Sequence, residues 1–300
     1  FHKSPNKSST NHRTNLPQIT ENCKKVLVVR NIYINFAPKN YDNMAEYKKR
    51  ISDRILKRKV QGKGAVLIEG PKWCGKTTTA KQLANSVLDL GNSTVLMQSR
   101  QMIEISHKVL LDGDTPRLID EWQALPPIWD SIRSEVDSRG EPSQFILTGS
   151  SVLPEANTLI HSGTGRFGHI RMRPMSLFES GESSGEVSLL DLFENRPLEL
   201  QRNNLDINDI AFLTCRGGWP WATLISKELA LDQAFDYVDS VVNSDILRVD
   251  KVRRSPERTK LLLRSYARNI SQQISYATIR KDMLANDAST LDEDTVADYI

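Results

Sequence analysis

The residues with the clearest chemical potential form the stretch EGPKWCGKTTT (residues 69–79), directly after the apolar run AVLI. Within it, the pattern G-x-x-x-x-G-K-T (residues 70–77) matches a phosphate-binding loop in every specified position. Glycines let such a loop wrap a phosphate closely, and free N–H groups at the following helix attract the anion. Lys76 would reach the β- and γ-phosphates, and Thr77 would offer its hydroxyl to Mg²⁺. The alternatives are a plain strand-to-helix turn for the loop and, for Cys74, a small filler or a redox switch.

A second chemical feature is the segment PRLIDEW, in which an apolar strand ends in Asp120 and Glu121. The first carboxylate can hold Mg²⁺ together with Thr77, and the next can polarise the attacking water. The 44 residues from Lys76 to Asp120 leave room for a helix, a strand and a crossover. We therefore predict Asp120 as a metal ligand and Glu121 as the catalytic carboxylate. Without the phosphate-binding loop, an exposed acidic turn would be the better interpretation.

Polar residues also end the apolar segment QFILTGS. Thr148 and Ser150 are our candidates to contact the γ-phosphate or the attacking water. The alternative is purely structural, because Ser151 could cap a helix that follows.

An arginine lies in the glycine-rich segment HSGTGRFGHIRMRP. Arg166 could neutralise transition-state charge in the site of a neighbouring subunit, as arginine fingers do. Gly163 and Gly165 would let this loop move, although any tight turn uses glycine in the same way. A solvated surface arginine is the equal alternative.

The elements around these residues are predicted to alternate between strands and helices. Strands are expected at 65–69, 94–98, 117–120, 144–150 and 169–177, and helices at 44–60, 76–90 and 126–139. Proline near the start and Gly140 after the end mark the last of these helices. Such alternation indicates an α/β fold with a parallel sheet and helices on both faces.

The pattern changes near residue 180, where SGESSGEVS reads as a flexible joint. Beyond it we predict mainly helices, at 188–195, 206–215, 220–242 and 255–270, and a domain boundary between residues 180 and 205.

The C-terminal region raises the question of DNA binding. Residues 248–268 hold 8 Lys and Arg against 2 Asp and Glu, and the two helices expected after them could form a helix-turn-helix. The last of these helices carries four acidic residues, which DNA phosphates would repel. The region is therefore either a DNA-binding module or a winged-helix-like packing module with a solvated basic face.

These motifs together resemble a family of prokaryotic P-loop ATPases. The resemblance rests on VLIEGPKWCGKTTTA, LIDEWQ, QFILTGSS, HSGTGRFGHIRMRPMSLFESGESSGEVSL and GGWP, and it runs from about Met44 to the end. Members of that family pair an AAA-type ATP-binding domain, called AAA_14, with a C-terminal domain called DUF4143. From the residues alone, GGWP indicates only a helix-initiating turn.

The resemblance implies a binding site for ATP and Mg²⁺ and assigns its residues. ATP would lie on Gly70, Pro71, Lys72, Trp73, Cys74, Gly75, Lys76, Thr77 and Thr78. Asp120 and Glu121 would be the magnesium and water-activating pair. Pro220, in Gly218-Trp219-Pro220, would lie in a lid near the nucleotide.

The resemblance also implies an order of regions along the chain. We expect an AAA-type core at 44–185, a helical lid at 186–245, and the start of a DUF4143-like region at 246–300 that ends in mid-helix. Residues 1–43 are predicted to be a disordered or upstream-translated extension, with Met44 as the start, although the apolar patch 26–36 could be a strand.

Charge and composition limit the classes of protein to which this chain can belong. Residues 1–60 hold 14 Lys and Arg against 4 Asp and Glu, whereas the remainder holds 26 against 33. The basic pI therefore says little about nucleic acid. No apolar run approaches the ~20 residues that cross a bilayer. Three scattered cysteines form no metal spacing and suit a reducing, cytoplasmic compartment.

The leading interpretation is an Mg²⁺-dependent ATPase in which hydrolysis drives a conformational switch, with a homo-oligomer as a candidate assembly. The chief alternative is an ATP-gated module that binds protein or DNA and hydrolyses little ATP. A small-molecule kinase is a third possibility, although the sequence shows no arginine-rich phosphoacceptor lid, and an Asp-Glu pair suits water activation better.

Overall fold

The computed structural model describes residues 47–150, 163–197, 203–245, 255–285 and 296–297. The predictions for the extension 1–43, for the Met44 start, for the Ser151 cap and for most of the acidic last helix lie outside these residues.

The described residues contain five strands: β1 (Ala65–Gly70), β2 (Ser86–Asp89), β3 (Arg117–Asp120), β4 (Phe145–Ser150) and β5 (Phe167–Arg171). They form one parallel sheet in the order β2-β3-β4-β1-β5. The central strands are buried along most of their length, as expected for a sheet covered on both faces. Gly70 pairs with Ser150, and Asp120 pairs with Thr148, so three strand ends meet at one edge. This carboxyl edge positions the candidate site.

Helices cover both faces of the sheet. They are α1 (Ile51–Gly62), α2 (Lys76–Lys81), α3 (Ser93–Ile105), α4 (His107–Leu111) and α5 (Ile128–Arg139). On one face, α3, α4 and α5 close a core that contains Leu88, Trp129 and Leu147. On the other face, α1 and α2 pack Leu56 and Ala80 into a second cluster. The predicted α/β fold with helices on both faces is confirmed.

Two predicted elements between the phosphate-binding loop and β3 are wrong. The helix expected at 76–90 ends at Lys81, and Ser86–Asp89 is a strand because it pairs in parallel with Arg117–Asp120. The strand expected at 94–98 lies inside helix α3. The side chain of Asn92 caps that helix by accepting hydrogen bonds from the N–H groups of Thr94 and Val95 at 3.0 and 3.3 Å.

Other predicted boundaries shift by a few residues. The first helix begins at Ile51 instead of 44 among the described residues, because Arg50 is its extended N-cap. The last strand covers Phe167–Arg171, and the predicted helix 126–139 is observed from Ile128 to Arg139, with Gly140 in the left-handed conformation at its end.

The chain beyond the sheet is helical in its described part. Its helices are α6 (Leu177–Ser180), α7 (Leu189–Phe193), α8 (Ile207–Arg216), α9 (Lys227–Ser240), α10 (Pro256–Arg268) and α11 (Tyr276–Leu284). A short 3-10 helix at Trp221–Thr223 precedes α9, and a π-helix at Val241–Asp245 extends it. Leu262 and Ile279 form a small separate core between α10 and α11. Within the described residues, no helix has the length and apolar character needed to cross a membrane.

Candidate functional site

The loop between β1 and α2 depends on glycine at both ends of its sequence pattern. Gly75 adopts a left-handed conformation, with φ of 98°, directly before α2. A side chain at Gly70 would place its Cβ 2.3 Å from the backbone oxygen of Met172. Both positions therefore require glycine, for different reasons. The sequence pattern correctly placed this loop between a strand and a helix.

Lys76 is buried, with 6% of its surface exposed, and its ammonium is held by the loop itself. The Nζ atom donates to the backbone oxygens of Gly70 at 3.0 Å and Pro71 at 2.9 Å. A phosphate oxygen at the same place would be a charged acceptor and therefore a stronger partner than a carbonyl. The ammonium therefore lies inside the loop, where its two partners are neutral backbone carbonyls.

The predicted metal ligands are in contact with each other. The hydroxyl of Thr77 donates to Oδ1 of Asp120 at 2.8 Å, and the hydroxyl of Thr148 donates to the same oxygen. Asp120 ends β3 and is 8% exposed. A hydroxyl beside one carboxylate fits Mg²⁺, which takes few protein ligands and completes its shell with water and phosphate oxygens. Thr148 is therefore a direct hydrogen-bond donor to the carboxylate of Asp120.

Glu121 follows β3 in a left-handed conformation, with φ of 55°. Its side chain lines the same cavity as Lys76 and Thr77. The carboxylate accepts a hydrogen bond from Nε2 of Gln123, whose own Oε1 has no partner in the described part of the chain. The strained backbone turns Glu121 out of the strand direction and into the cavity.

A cavity of about 930 Å³ extends from the loop to the segment before α9. Tyr47, Arg50, Lys72 and Met175 contribute to its wall, and the C-terminal side adds Trp219, Pro220, Trp221, Thr223, Leu224 and Gln233. Pro220 lies close to the loop, because a Cβ on Gly75 would be 3.4 Å from its Cγ. Gly218 accepts a hydrogen bond from the N–H of Met175 at 2.6 Å and is closely packed there. The GGWP segment therefore covers the loop from the C-terminal side.

Arg50 ties the loop to the segment after β5. Its guanidinium donates to the backbone oxygens of Cys74 at 2.7 Å and Arg173 at 2.8 Å, and to the carboxylate of Glu179 at 3.0 Å. Burial alone would raise the pKa of Glu179, but hydrogen bonds from the N–H groups of Ser176 and Ile51 and from Arg50 lower it overall. Three segments far apart in sequence are thus fixed around one buried cation.

This arrangement predicts a pH-dependent stability difference for Glu179→Gln. At pH 7 the variant should lose about 1–3 kcal/mol of unfolding free energy, because Arg50 loses its charged partner. A carboxylate with a lowered pKa stabilises the fold above its usual pKa, and this contribution disappears as the pH falls through the lowered value. The difference should therefore shrink well below the ordinary glutamate pKa of 4.5. Denaturant unfolding at pH 7 and pH 3 measures it.

The matched control for Glu179→Gln is Glu186→Gln, which changes an exposed carboxylate in the same region. A Glu179 variant that is as stable as this control at pH 7 would contradict the role of the ion pair.

Ser150 and Arg166, which were also predicted as site residues, lie at opposite edges of the sheet. Ser150 is the last residue of β4 and lies at the carboxyl edge of the sheet. Arg166 lies at the opposite edge, where its backbone oxygen accepts from the N–H of Ala65 and its guanidinium donates to Asp137. The structure therefore does not bring Arg166 to the cavity of its own chain, and a role in a neighbouring copy stays a prediction.

Cys74 is fully buried within the loop. Burial raises the pKa of its thiol, which disfavours the reactive thiolate. Of the two interpretations of this residue, the structure favours the small filler.

Residues 62–180 match a family model described as an AAA domain. This range contains the phosphate-binding loop and both predicted carboxylates. The solved structure of the Walker-type ATPase PABY2304 of Pyrococcus abyssi is similar, with a TM-score of 0.52 and 14% sequence identity. The match covers 84% of this chain and 88% of that one. The fold is therefore that of a P-loop ATPase.

The C-terminal part matches a different model from the expected one. Residues 207–300 match a domain of unknown function, DUF8612. The DUF4143 assignment implied by the resemblance is therefore not confirmed. No curated protein matches the chain in sequence.

Sequence reasoning missed several residues of the cavity. Tyr47, Arg50 and Gln233 come from segments outside residues 62–180, the range matched by the AAA model, and they carry no local motif. Gln123, which donates a hydrogen bond to the cavity residue Glu121, was also missed, although it lies within the segment LIDEWQ, two residues after Glu121. Its position there was the only signal in the sequence that could have suggested it.

Proposed function

We propose that this chain binds ATP together with Mg²⁺ and hydrolyses it. The observation that carries the proposal is the convergence of Lys76, Thr77, Asp120 and Glu121 at one edge of the sheet. The first two come from the phosphate-binding loop and α2, and the carboxylates come from the end of β3. A buried ammonium, a hydroxyl–carboxylate pair and a second carboxylate are the groups that phosphoryl transfer to water requires.

Each of these side chains has a defined task in the proposed reaction. Lys76 exchanges its carbonyl partners for phosphate oxygens and stabilises their negative charge. Thr77 and Asp120 would hold Mg²⁺, which would neutralise charge on the phosphoryl oxygens. Glu121 accepts a hydrogen bond from water and orients it for attack, as a general base does.

The segment Gly218–Pro220 supports a coupling between ATP and the helical region. It packs against both Met175 and the loop glycine Gly75, so a ligand on the loop changes the environment of the lid. In the proposed cycle, ATP favours the lid position that completes the cavity, and hydrolysis releases the lid.

The hydrogen bond from Gln123 to Glu121 favours the second candidate function, a slow ATP-gated module. This hydrogen bond engages the same carboxylate that must orient the attacking water.

Removal of the metal tests the proposal directly. ATP turnover, measured as phosphate release, should fall to background with a chelator and return when excess Mg²⁺ is added. Asp120→Asn should raise the Mg²⁺ concentration needed for half-maximal turnover, roughly tenfold or more, because a metal-binding carboxylate is lost. Asp89→Asn is the control, since this exposed residue pairs in register with Asp120, and its carboxylate accepts a hydrogen bond from the N–H of Gly91 at 3.0 Å.

Hydrolysis that persists unchanged in the chelator would contradict the metal-dependent mechanism. An Mg²⁺ requirement that changes equally in the Asp89 and Asp120 variants would contradict the assignment of Asp120.

A further inference from the structure

Thr148 lies on β4, between β1 and β3, and its side chain is fully buried. It follows Ile146 by two positions and therefore points to the same face of the sheet, which α1 and α2 cover. The strands contribute apolar side chains to this face at Val66, Ile68, Leu118 and Ile146. Valine would fill the position of Thr148 with the same shape. A buried hydroxyl costs free energy unless it has a hydrogen-bond partner, so the choice of threonine here calls for one.

The partner of Thr148 is the carboxylate of Asp120, its register neighbour on β3. A threonine hydroxyl carries one proton, and Thr148 donates that proton to Oδ1 of Asp120. The same oxygen accepts a hydrogen bond from the hydroxyl of Thr77 at 2.8 Å. Hydrogen bonds to an ionised carboxylate are stronger than those between neutral groups. Asp120 is thus held from two sides, by Thr77 of α2 and by Thr148 of β4.

The burial of Thr148 keeps its hydroxyl away from any ligand in the cavity. The residue has 0% of its surface exposed, whereas Thr77 lines the cavity. A metal ion or a phosphate oxygen can therefore reach Thr77 but not Thr148. Any effect of Thr148 on a ligand must act through Asp120, unlike the direct phosphate contact that the sequence suggested for this residue.

We propose that Thr148 is a positioning residue that holds the carboxylate of Asp120 in the orientation that Mg²⁺ requires. The inference rests on the proposed function, because it needs Asp120 as a metal ligand. Groups that hydrogen-bond a metal ligand fix its orientation, and their loss typically costs about 10–100-fold in metal affinity. Loss of the Thr148 hydroxyl should therefore weaken metal binding, while turnover at saturating Mg²⁺ stays close to wild type.

Substitutions at position 148 separate the hydroxyl from the rest of the side chain. Thr148→Val keeps the shape and removes the donor, so Mn²⁺, used as a probe for Mg²⁺, should bind roughly tenfold more weakly or worse. Thr148→Ser keeps the donor and should bind Mn²⁺ within about twofold of wild type. Residues that act through one another are not additive. In an Asp120→Asn background, Thr148→Val should therefore cost little further affinity.

Electron paramagnetic resonance of free Mn²⁺, titrated into the full chain with one equivalent of ADP, measures this affinity without turnover. The Mn²⁺ bound by ADP alone is measured separately and subtracted. Thr259→Val is the control, because it removes a buried hydroxyl that donates to the backbone oxygen of Ser255 at 3.0 Å on α10. Thermal unfolding without metal shows whether each variant folds. Thr148→Ala also lacks the donor and replaces Thr148→Val if that variant does not fold.

Three results would overturn the inference. The first is wild-type Mn²⁺ affinity in Thr148→Val, and a loss in Asp120→Asn alone would then leave the proposed function intact. The second is a full further loss in the double variant, since Thr148 would then act independently of Asp120. The third is slower turnover at saturating Mg²⁺ with unchanged Mn²⁺ affinity, which would assign Thr148 to the phosphate or the attacking water. If the wild-type chain with ADP binds no Mn²⁺, the proposed function fails and the inference fails with it.

Discussion

Replacing Lys76 with alanine is expected to weaken ATP binding by roughly thirtyfold to a few thousandfold. Lys76 is buried, and its Nζ already donates to two carbonyls of the phosphate-binding loop, at Gly70 and Pro71. Removing one partner of a buried, hydrogen-bonded charge pair typically costs 2–5 kcal/mol in binding. Since every 1.4 kcal/mol is tenfold in affinity, the loss falls in the range that calorimetry or tryptophan fluorescence resolves. Trp73 and Trp219 both line the cavity and provide that signal.

A second substitution at Lys76 distinguishes the effect of losing the charge from the effect of losing side-chain packing. Lys76→Met keeps much of the side-chain volume and should lose ATP affinity as strongly as the alanine variant. Lys72→Ala removes an exposed lysine from the same loop and should have a much smaller effect. Thermal unfolding of all three variants shows whether the fold survives. A folded Lys76→Met variant with wild-type affinity would remove Lys76 from the binding site.

The phosphate-binding loop could be predicted because its signal is local. The glycines, Lys76 and Thr77 lie within eight consecutive positions, and the same chain neighbours that form the pattern also form the site. Asp120 could be predicted because a carboxylate at the end of a strand in a parallel sheet shares an edge with the loop. In both cases the position of the residues along the chain determines where they lie in the fold.

The short elements between loop and strand could not be predicted in the same way. The segment Ser86–Asp89 follows a helix and resembles it in amino-acid composition. Only the pairing with β3 makes this segment a strand. Thr94–Gln98 is rich in apolar and β-branched residues, yet the cap at Asn92 and its place against the sheet make it helical. Tertiary pairing and capping override local propensity in such short segments.

The residues that complete the cavity depend on contacts between distant segments. Arg50 reaches Arg173 and Glu179 more than a hundred positions away, and Gln233 lines the same cavity as the phosphate-binding loop although more than 150 positions separate them. Neither residue has a neighbour in sequence that would mark its role. Such residues become visible only when the fold brings their segments together.

Replacing Glu121 with glutamine is expected to lower the turnover number by about a hundredfold to a thousandfold while ATP affinity stays close to wild type. The left-handed backbone at Glu121 turns its side chain into the cavity beside Lys76 and Thr77, where water attacking a γ-phosphate would lie. Glutamine keeps the size and the hydrogen-bonding reach of this side chain but cannot take a proton. Phosphate release under saturating ATP measures the change, and binding is measured separately with an ATP analogue.

Glu69→Gln is the matched control for this experiment. Glu69 lies on β1 next to the phosphate-binding loop, but its carboxylate faces His169 at 3.8 Å instead of the cavity. Its substitution should leave turnover close to wild type. Because Gln123 donates to Glu121, Gln123→Ala tests whether that hydrogen bond restrains the carboxylate, and a restraint predicts faster turnover in this variant. Unchanged turnover in Glu121→Gln would exclude Glu121 as the base and favour a module in which ATP binding, rather than hydrolysis, sets the state of the lid.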